Sequence, residues 1–252
     1  MRYSLLLLIL VCLSCQTKHD VPQIIELHNT WEFKKVTDSN WIPATVPGNV
    51  HSDLLENNLI ENPFIGDNEH DLQWISETDW EYKTTFSVNK KTLQKEHIEL
   101  NFEGLDTYAS VFLNDSLVLK TNNAFCEFQV NAKPLLKTEN TLRILFENTT
   151  KYEEQAKDKL GYTLPEGNRI FTRKAQFQYG WDWGPKLSTS GIWRPITLKA
   201  WNDYIIENVY INQTQLTDSI ANLLIEIDEE SKVEGQLNYE VYINSNKNAE
   251  FP

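Results

Sequence analysis

The stretch Tyr108-Ala109-Ser110-Val111-Phe112-Leu113, followed by Asn114-Asp115 and then Ser116-Leu117-Val118-Leu119, decides the fold class of this 252-residue chain. Successive side chains of a strand point to opposite sides. Ala109, Val111 and Leu113 therefore share one face, and Tyr108, Ser110 and Phe112 the other. Asn114-Asp115 suits a tight reverse turn, so the two runs read as a β-hairpin. Leu142, Ile144 and Phe146 repeat the period further along. Only 49–59 and 151–160 have helical character, and both are short. The pattern predicts an all-β chain, with an antiparallel β-sandwich over 25–202.

A second unit is expected over 203–252, where Ile206 to Ile211, Leu223 to Ile227 and Leu237 to Ile243 read as strands. Three strands do not close a sandwich, which usually needs about seven strands and about 100 residues. The second unit is therefore expected to be the truncated start of a larger one. At the other end, Arg2 followed by the apolar run Leu5 to Leu13 has the form of an export signal. The run is too short to span a bilayer as a mature helix. Ser14-Cys15 follows, as in a bacterial lipoprotein signal. The expectation is a signal peptide over 1–15, acylation of Cys15, and a polar tether over 16–24. Such a protein is exported and anchored by its lipid in the periplasm or at the cell surface. Loss of Cys12 with the signal and acylation of Cys15 would leave Cys126 alone, with no intrachain disulfide to form.

The formal net charge of −13 argues against a nucleic-acid partner and against direct contact with anionic membranes, leaving the lipid anchor as the membrane attachment. The five histidines show no ligand spacing, so no metal site is expected. Aromatic residues make up 12% of the chain, with 8 Trp, which fits either a bulky sandwich core or stacking against sugar rings.

One segment favours the sugar: Gln178-Tyr179-Gly180-Trp181-Asp182-Trp183-Gly184-Pro185. Aromatic faces pack on the C–H faces of sugar rings, and a carboxylate accepts hydrogen bonds from their hydroxyls. Against this, Asp182 could be a turn aspartate bonded to its own backbone, and Trp183 a core residue. Asp106 reads as structural, at the entry to a strand. Arg173 and Lys174 either orient Asp182 or face solvent. His51 caps or packs beside the first helix, and Glu77, Asp79 and Glu81 read as a solvated strand end.

Several separated motifs share a pattern. They include Val46-Pro47-Gly48-Asn49-Val50-His51 within Trp41 to Leu54, Asn62-Pro63-Phe64, Gly66-Asp67-Asn68-Glu69, Trp74-Ile75 and Asp79-Trp80-Glu81-Tyr82. Gly104-Leu105-Asp106-Thr107-Tyr108-Ala109, Arg173-Lys174-Ala175-Gln176 and Gly191-Ile192-Trp193-Arg194-Pro195 complete the series around the Trp-Asp-Trp motif. From about Trp31 to Trp201 the chain resembles the N-terminal, galactose-binding-like domain of β-mannosidases in glycoside hydrolase family 2. The resemblance implies a jelly-roll β-sandwich, then an immunoglobulin-like sandwich, then a TIM barrel. It places both catalytic glutamates in the barrel, so no catalytic residue is expected in these 252 residues. It also implies that Trp181 and Asp182 contribute to the −1 subsite, with Trp183 and Arg173 as further candidates. The implied reaction is exo-acting, retaining hydrolysis of terminal β-D-mannose from β-mannoside oligosaccharides, without a cofactor. A free-standing carbohydrate-binding lipoprotein and another family 2 glycosidase, such as a β-galactosidase or β-glucuronidase, are the alternatives.

Overall fold

The structure is a computed structural model, and it describes residues 21–162, 165, 167–231 and 239–242. Cys15, the export segment and the tether up to residue 20 lie outside the described residues. The first strand, Gln23–Glu26, begins inside the stretch expected as a tether. Pro22–Asn202 forms one compact unit, and residues from Asp203 onward belong to another.

Two antiparallel sheets make the sandwich of the first unit, as the alternation predicts. One has six strands in the spatial order Ile42–Pro43, Glu32–Lys35, Trp80–Ser87, Glu139–Glu147, Tyr108–Leu113 and Ser116–Lys120. The other runs Gln23–Glu26, Ile196–Trp201, His97–Phe102 and Phe128–Asn131. Their facing side chains form a single core. Phe33, Tyr82, Val111 and Ile144 come from the first sheet, and Ile98, Leu100, Phe102 and Leu198 from the second; all are buried. The antiparallel sandwich expected from the alternation is thus present, with Ala109, Val111 and Leu113 in the core. Asn114 and Asp115 turn the hairpin with φ of 48° and 67°, the left-handed pair that matches the twist of the flanking strands.

Both expected helices form, at Val50–Glu56 and Thr149–Leu160. Asn148 caps the second, its side chain accepting from Lys151 N–H, and Gly161 ends it with φ of 79°. Asp79 in turn accepts from the backbone N–H and Nδ2 of Asn148. Tyr152 stacks on Tyr108 at 3.8 Å and 11°, which lays the helix over the outer face of the six-stranded sheet. Short helical turns at Asn68–Asp71 and Lys90–Leu93 carry no apolar periodicity and escaped the sequence reading. Glu81 departs from the expected solvated strand end. It is buried between Lys34 at 3.3 Å and Arg143 at 2.5 Å, cations that sequence distance hides. In the second unit, Tyr204–Leu216 pairs with Ala221–Ser231 as a long antiparallel ribbon. Residues 239–242, the described part of the third expected strand, are not in a strand.

The first helix carries two buried ionisable groups with opposite tendencies. Asp53 accepts from Thr45 N–H at 2.8 Å and from the Tyr82 hydroxyl at 2.6 Å. Burial outweighs these bonds and raises its pKa from 3.8 to about 6. Burial, aided by the nearby Lys174 charge, lowers the pKa of His51 from 6.5 to about 4. Between 3.8 and about 6 the folded state holds a proton on Asp53 that the unfolded chain has released, so Asp53 makes stability fall as pH rises. Between about 4 and 6.5 the unfolded chain instead binds a proton at His51 that the folded state rejects, so His51 makes stability rise with pH. The two contributions oppose each other across most of that window. Asn at position 53 can accept from Thr45 and donate to Tyr82. Asp53→Asn is expected to keep the fold and make Tm climb more steeply with pH between about 4 and 6. Parallel Tm profiles for the two proteins, measured by calorimetry, would show that Asp53 ionises as an ordinary aspartate.

Candidate functional site: a cleft walled by the Trp-Asp-Trp turn

The segment Trp181–Gly184 is a tight reversal. Trp181 N–H donates to Gly184 carbonyl at 3.0 Å, and Gly184 N–H donates back to Trp181 carbonyl at 3.2 Å. Gly180 enters the reversal with φ of 87°, a conformation that disfavours any side chain; an added Cβ would also approach the Lys186 Cβ to 3.2 Å. The turn throws both indoles outward. Trp181 is 55% exposed and Trp183 is 83% exposed, so Trp183 is not the core residue it could have been. Their rings meet edge to face at 5.9 Å.

Trp181 and Asp182 stand on the rim of an open cleft of about 930 Å³. That volume lies in the range of ligand sites. The 149–160 helix supplies Thr149, Thr150 and Glu153 to the cleft lining. Tyr179 donates its hydroxyl to the Glu153 carboxylate, tying the turn's approach to the helix. Burial, and then that bond, push the Tyr179 phenol well above its ordinary value, so it remains a donor throughout the neutral range. The Arg169 guanidinium sits 5.8 Å from the Trp181 ring centroid, within cation–π reach. Lys186 also lines the cleft. Its backbone is fixed at both ends, its N–H donating to Glu69 Oε1 at 2.7 Å and its carbonyl accepting from Gln73 Nε2 at 2.8 Å. Among the described residues, no protein group donates to the Asp182 carboxylate. Asp182 is therefore not a turn aspartate satisfied by its own backbone.

The chain contains the features of a known family. A family described as glycosyl hydrolase 2 galactose-binding domain-like matches residues 31–194. The chain belongs to the glycosyl hydrolase 2 family. "Beta-mannosidase B" of Thermothelomyces thermophilus is 37% identical over 187 residues, covering 71% of this chain and 22% of that protein. "Beta-mannosidase" of Mus musculus is 31% identical over 227 residues, covering 84% of this chain and 26% of its own length. The crystal structure of a β-D-mannosidase from Dictyoglomus thermophilum superposes with a TM-score of 0.76 at 41% identity, over 83% of this chain and 26% of that one. A β-D-glucuronidase of the same organism aligns at 19% identity with a TM-score of 0.50, a likeness of fold alone. The chain spans about a quarter of the length of the curated relatives it matches.

The structure brings together only part of what the sequence singled out in this family 2 domain. Trp181 and Asp182 lie in the cleft, and Trp183 extends beyond it. Arg173 is exposed and does not line the cleft; its carbonyl accepts from Ala124 N–H. The guanidinium beside Trp181 belongs instead to Arg169, on the short helical turn Arg169–Phe171. Lys174 neither faces solvent nor touches Asp182. It is buried against Asp106 at 2.6 Å. Glu153, Tyr179, Arg169 and Lys186 were missed because each enters the cleft through tertiary packing; only Tyr179, inside the quoted motif, carried any signal.

The exposure of the two indoles gives a direct test. Trp181→Ala and Trp183→Ala are expected to leave Tm within the small range typical of surface substitutions. Trp80 is buried, with Nε1 donating to Ile75 carbonyl at 3.0 Å. Trp80→Ala is expected to cost about 3–5 kcal/mol. Thermal unfolding of the three variants checks the contrast, and equal losses would show that the turn packs into the core.

Proposed function

We propose that this domain forms the recognition side of an exo-acting, retaining β-mannosidase that removes terminal β-D-mannose from β-mannoside oligosaccharides. The observation that carries the proposal is the Trp181–Asp182 turn, held on the cleft rim with its carboxylate unclaimed, in a domain 37% identical to a curated β-mannosidase. Asp182 accepts hydrogen bonds from ring hydroxyls of the terminal sugar. Trp181 walls the subsite and excludes water, which strengthens those bonds. The bond-breaking step uses two glutamates of a barrel domain, as acid/base and nucleophile, in a double displacement. Residues from Asp203 onward are read as the beginning of the immunoglobulin-like sandwich that connects the two. Trp183 is assigned to the outer edge of the subsite, and Arg169 takes the place that Arg173 was expected to fill.

In the enzyme that carries this domain, Asp182→Ala removes an ionised acceptor worth about 1.5–3 kcal/mol per hydrogen bond, so kcat/KM for a chromogenic aryl β-mannoside is expected to fall at least about tenfold. Unchanged kinetics would take Asp182 out of the subsite. The 252-residue chain by itself is expected not to turn the mannoside over, and turnover by it would place the nucleophile within these residues.

The proposal includes export as a lipoprotein anchored at Cys15, supported by Arg2, the Leu5 to Leu13 run and Ser14-Cys15. Radiolabelled palmitate fed to expressing bacteria is expected to enter the wild-type protein and not Cys15→Ala. Equal labelling of both would refute anchoring at that thiol.

A further inference from the structure

The loop that carries Trp181 and Asp182 is closed at its base by one buried carboxylate. Lys174 has no exposed side-chain surface, and its Nζ lies 2.6 Å from Asp106 Oδ1. The same ammonium donates to the carbonyl of Thr189. Asp106 Oδ2 accepts from Gln178 Nε2 at 2.9 Å, and Gln178 Oε1 accepts from Thr189 N–H at 3.0 Å. The Thr107 hydroxyl completes the set on Oδ1. Lys174 and Gln178 precede the turn in the chain and Thr189 follows it. One side chain therefore gathers both limbs of the loop, and the segment between them projects as the cleft wall.

The anchor itself is fixed. Asp106 lies in the two-residue strand Leu105–Asp106, paired antiparallel with Gly191–Ile192. Gly191 sits so close to the next layer that a Cβ there would meet the Gly48 carbonyl oxygen and the Asn49 Cα at 2.7 Å. This strand pair joins the far end of the loop to the start of the first helix through bonds from Gly48 N–H to Ile192 carbonyl and from Val50 N–H to Ser190 carbonyl.

Stability alone is a poor reason for such a pair. Removing two charges from water costs several kcal/mol, and well-packed apolar replacements are often as stable or more so. Burial disfavours the Lys174 ammonium, lowering its pKa, and the facing Asp106 carboxylate opposes that effect. What the pair supplies is direction: bonds at set angles to residues 106, 178 and 189 of the loop and its anchor. We infer that Asp106, acting through Lys174 and Gln178, is a positioning residue that sets the Trp181–Asp182 wall against the sugar. The inference rests on the subsite reading above.

The test uses the full-length enzyme with Asp106→Asn, Gln178→Ala, Trp181→Ala/Asp182→Ala, and Asp106→Asn added to that pair. A misplaced wall costs activity without any lost contact to substrate, and shifts of about 1 Å are enough for losses of about a hundredfold. Asp106→Asn is expected to lower kcat/KM at least about tenfold and to speed hydrogen exchange at the amides of Trp181 and Gly184. Its kinetic effect should disappear in the Trp181→Ala/Asp182→Ala background, because no wall remains to be positioned. Gln178→Ala keeps the ion pair and should show a smaller loss of the same kind; it decides the matter if Asp106→Asn does not fold. Wild-type kinetics for Asp106→Asn and Gln178→Ala, with Trp181→Ala/Asp182→Ala impaired, overturns the positioning role and leaves the subsite standing. A loss that persists in full in the double background also overturns it, as a general effect on the fold. If Trp181→Ala/Asp182→Ala has wild-type kinetics, the subsite itself is refuted. Hydrogen exchange then decides the tether alone, and unchanged exchange overturns it.

Discussion

The strand Glu139–Glu147 constrains everything outside the core. It lies between Trp80–Ser87 and Tyr108–Leu113, and its Leu142, Ile144 and Phe146 side chains are buried on one face. Strict alternation then sends Thr141, Arg143 and Leu145 to the other face. That outer face needs cover, and the chain supplies it at once. Arg143 reaches Glu81 and lies over the Phe112 ring at 4.1 Å. At the strand's end, Glu147 accepts from Lys151 and from the Tyr152 hydroxyl on the first turns of the following helix. Burial would raise the Glu147 carboxyl pKa, but those two bonds bring it below its usual value. The helix is thus seated by the last residue of the strand, by the Asn148 cap and by the Tyr108–Tyr152 stack. Its Thr149, Thr150 and Glu153 can then form a wall.

The site extends the same chain of causes. Glu153 receives the Tyr179 hydroxyl, Glu69 receives Lys186 N–H, and Asp106 gathers Lys174 and Gln178. Three carboxylates, from a helix, a loop helix and a short strand, hold one loop. Each accepts from a donor of that loop. A protein with formal net charge −13 can thus use acidic residues inside its fold as fasteners, and not only as a solvating surface.

Period and turn chemistry were legible in the sequence because they are local. Ala109, Val111 and Leu113 had to share a face, and Asn114-Asp115 had to turn; both hold. Capping at Asn148 was readable in principle, because Asn just before a helical run suits the cap position. The long-range ion pairs were not readable. Lys174 and Asp106 are 68 residues apart, and nothing near either one announces the other. For the same reason Glu81 reads as solvated and Arg173, beside Lys174, reads as a candidate to orient Asp182, while Arg169 carries no local signal. The Trp-Asp-Trp motif gave the position of the wall, since its glycines and its density of aromatic residues are local features. It could not give the rest of the cleft lining, because that depends on where the 149–160 helix docks.

The exposure of the two indoles sharpens what the wall is for. This domain has room to bury tryptophan: Trp31, Trp80 and Trp201 are at most 2% exposed. Leaving Trp181 and Trp183 largely in water forgoes about 25 cal/mol for every Å² of apolar surface left uncovered. The backbone beneath them, bonded reciprocally between Trp181 and Gly184, keeps them from folding back. The Arg169 guanidinium lies over the Trp181 ring at 5.8 Å from its centroid. The turn therefore sets an exposed indole and an unclaimed carboxylate side by side in the lining of the cleft. A ligand with C–H faces and adjacent hydroxyls satisfies both at once. In the proposed subsite, a ligand lacking either leaves water on the ring or the carboxylate unpaired, so the proposal makes selectivity at this wall depend on both together.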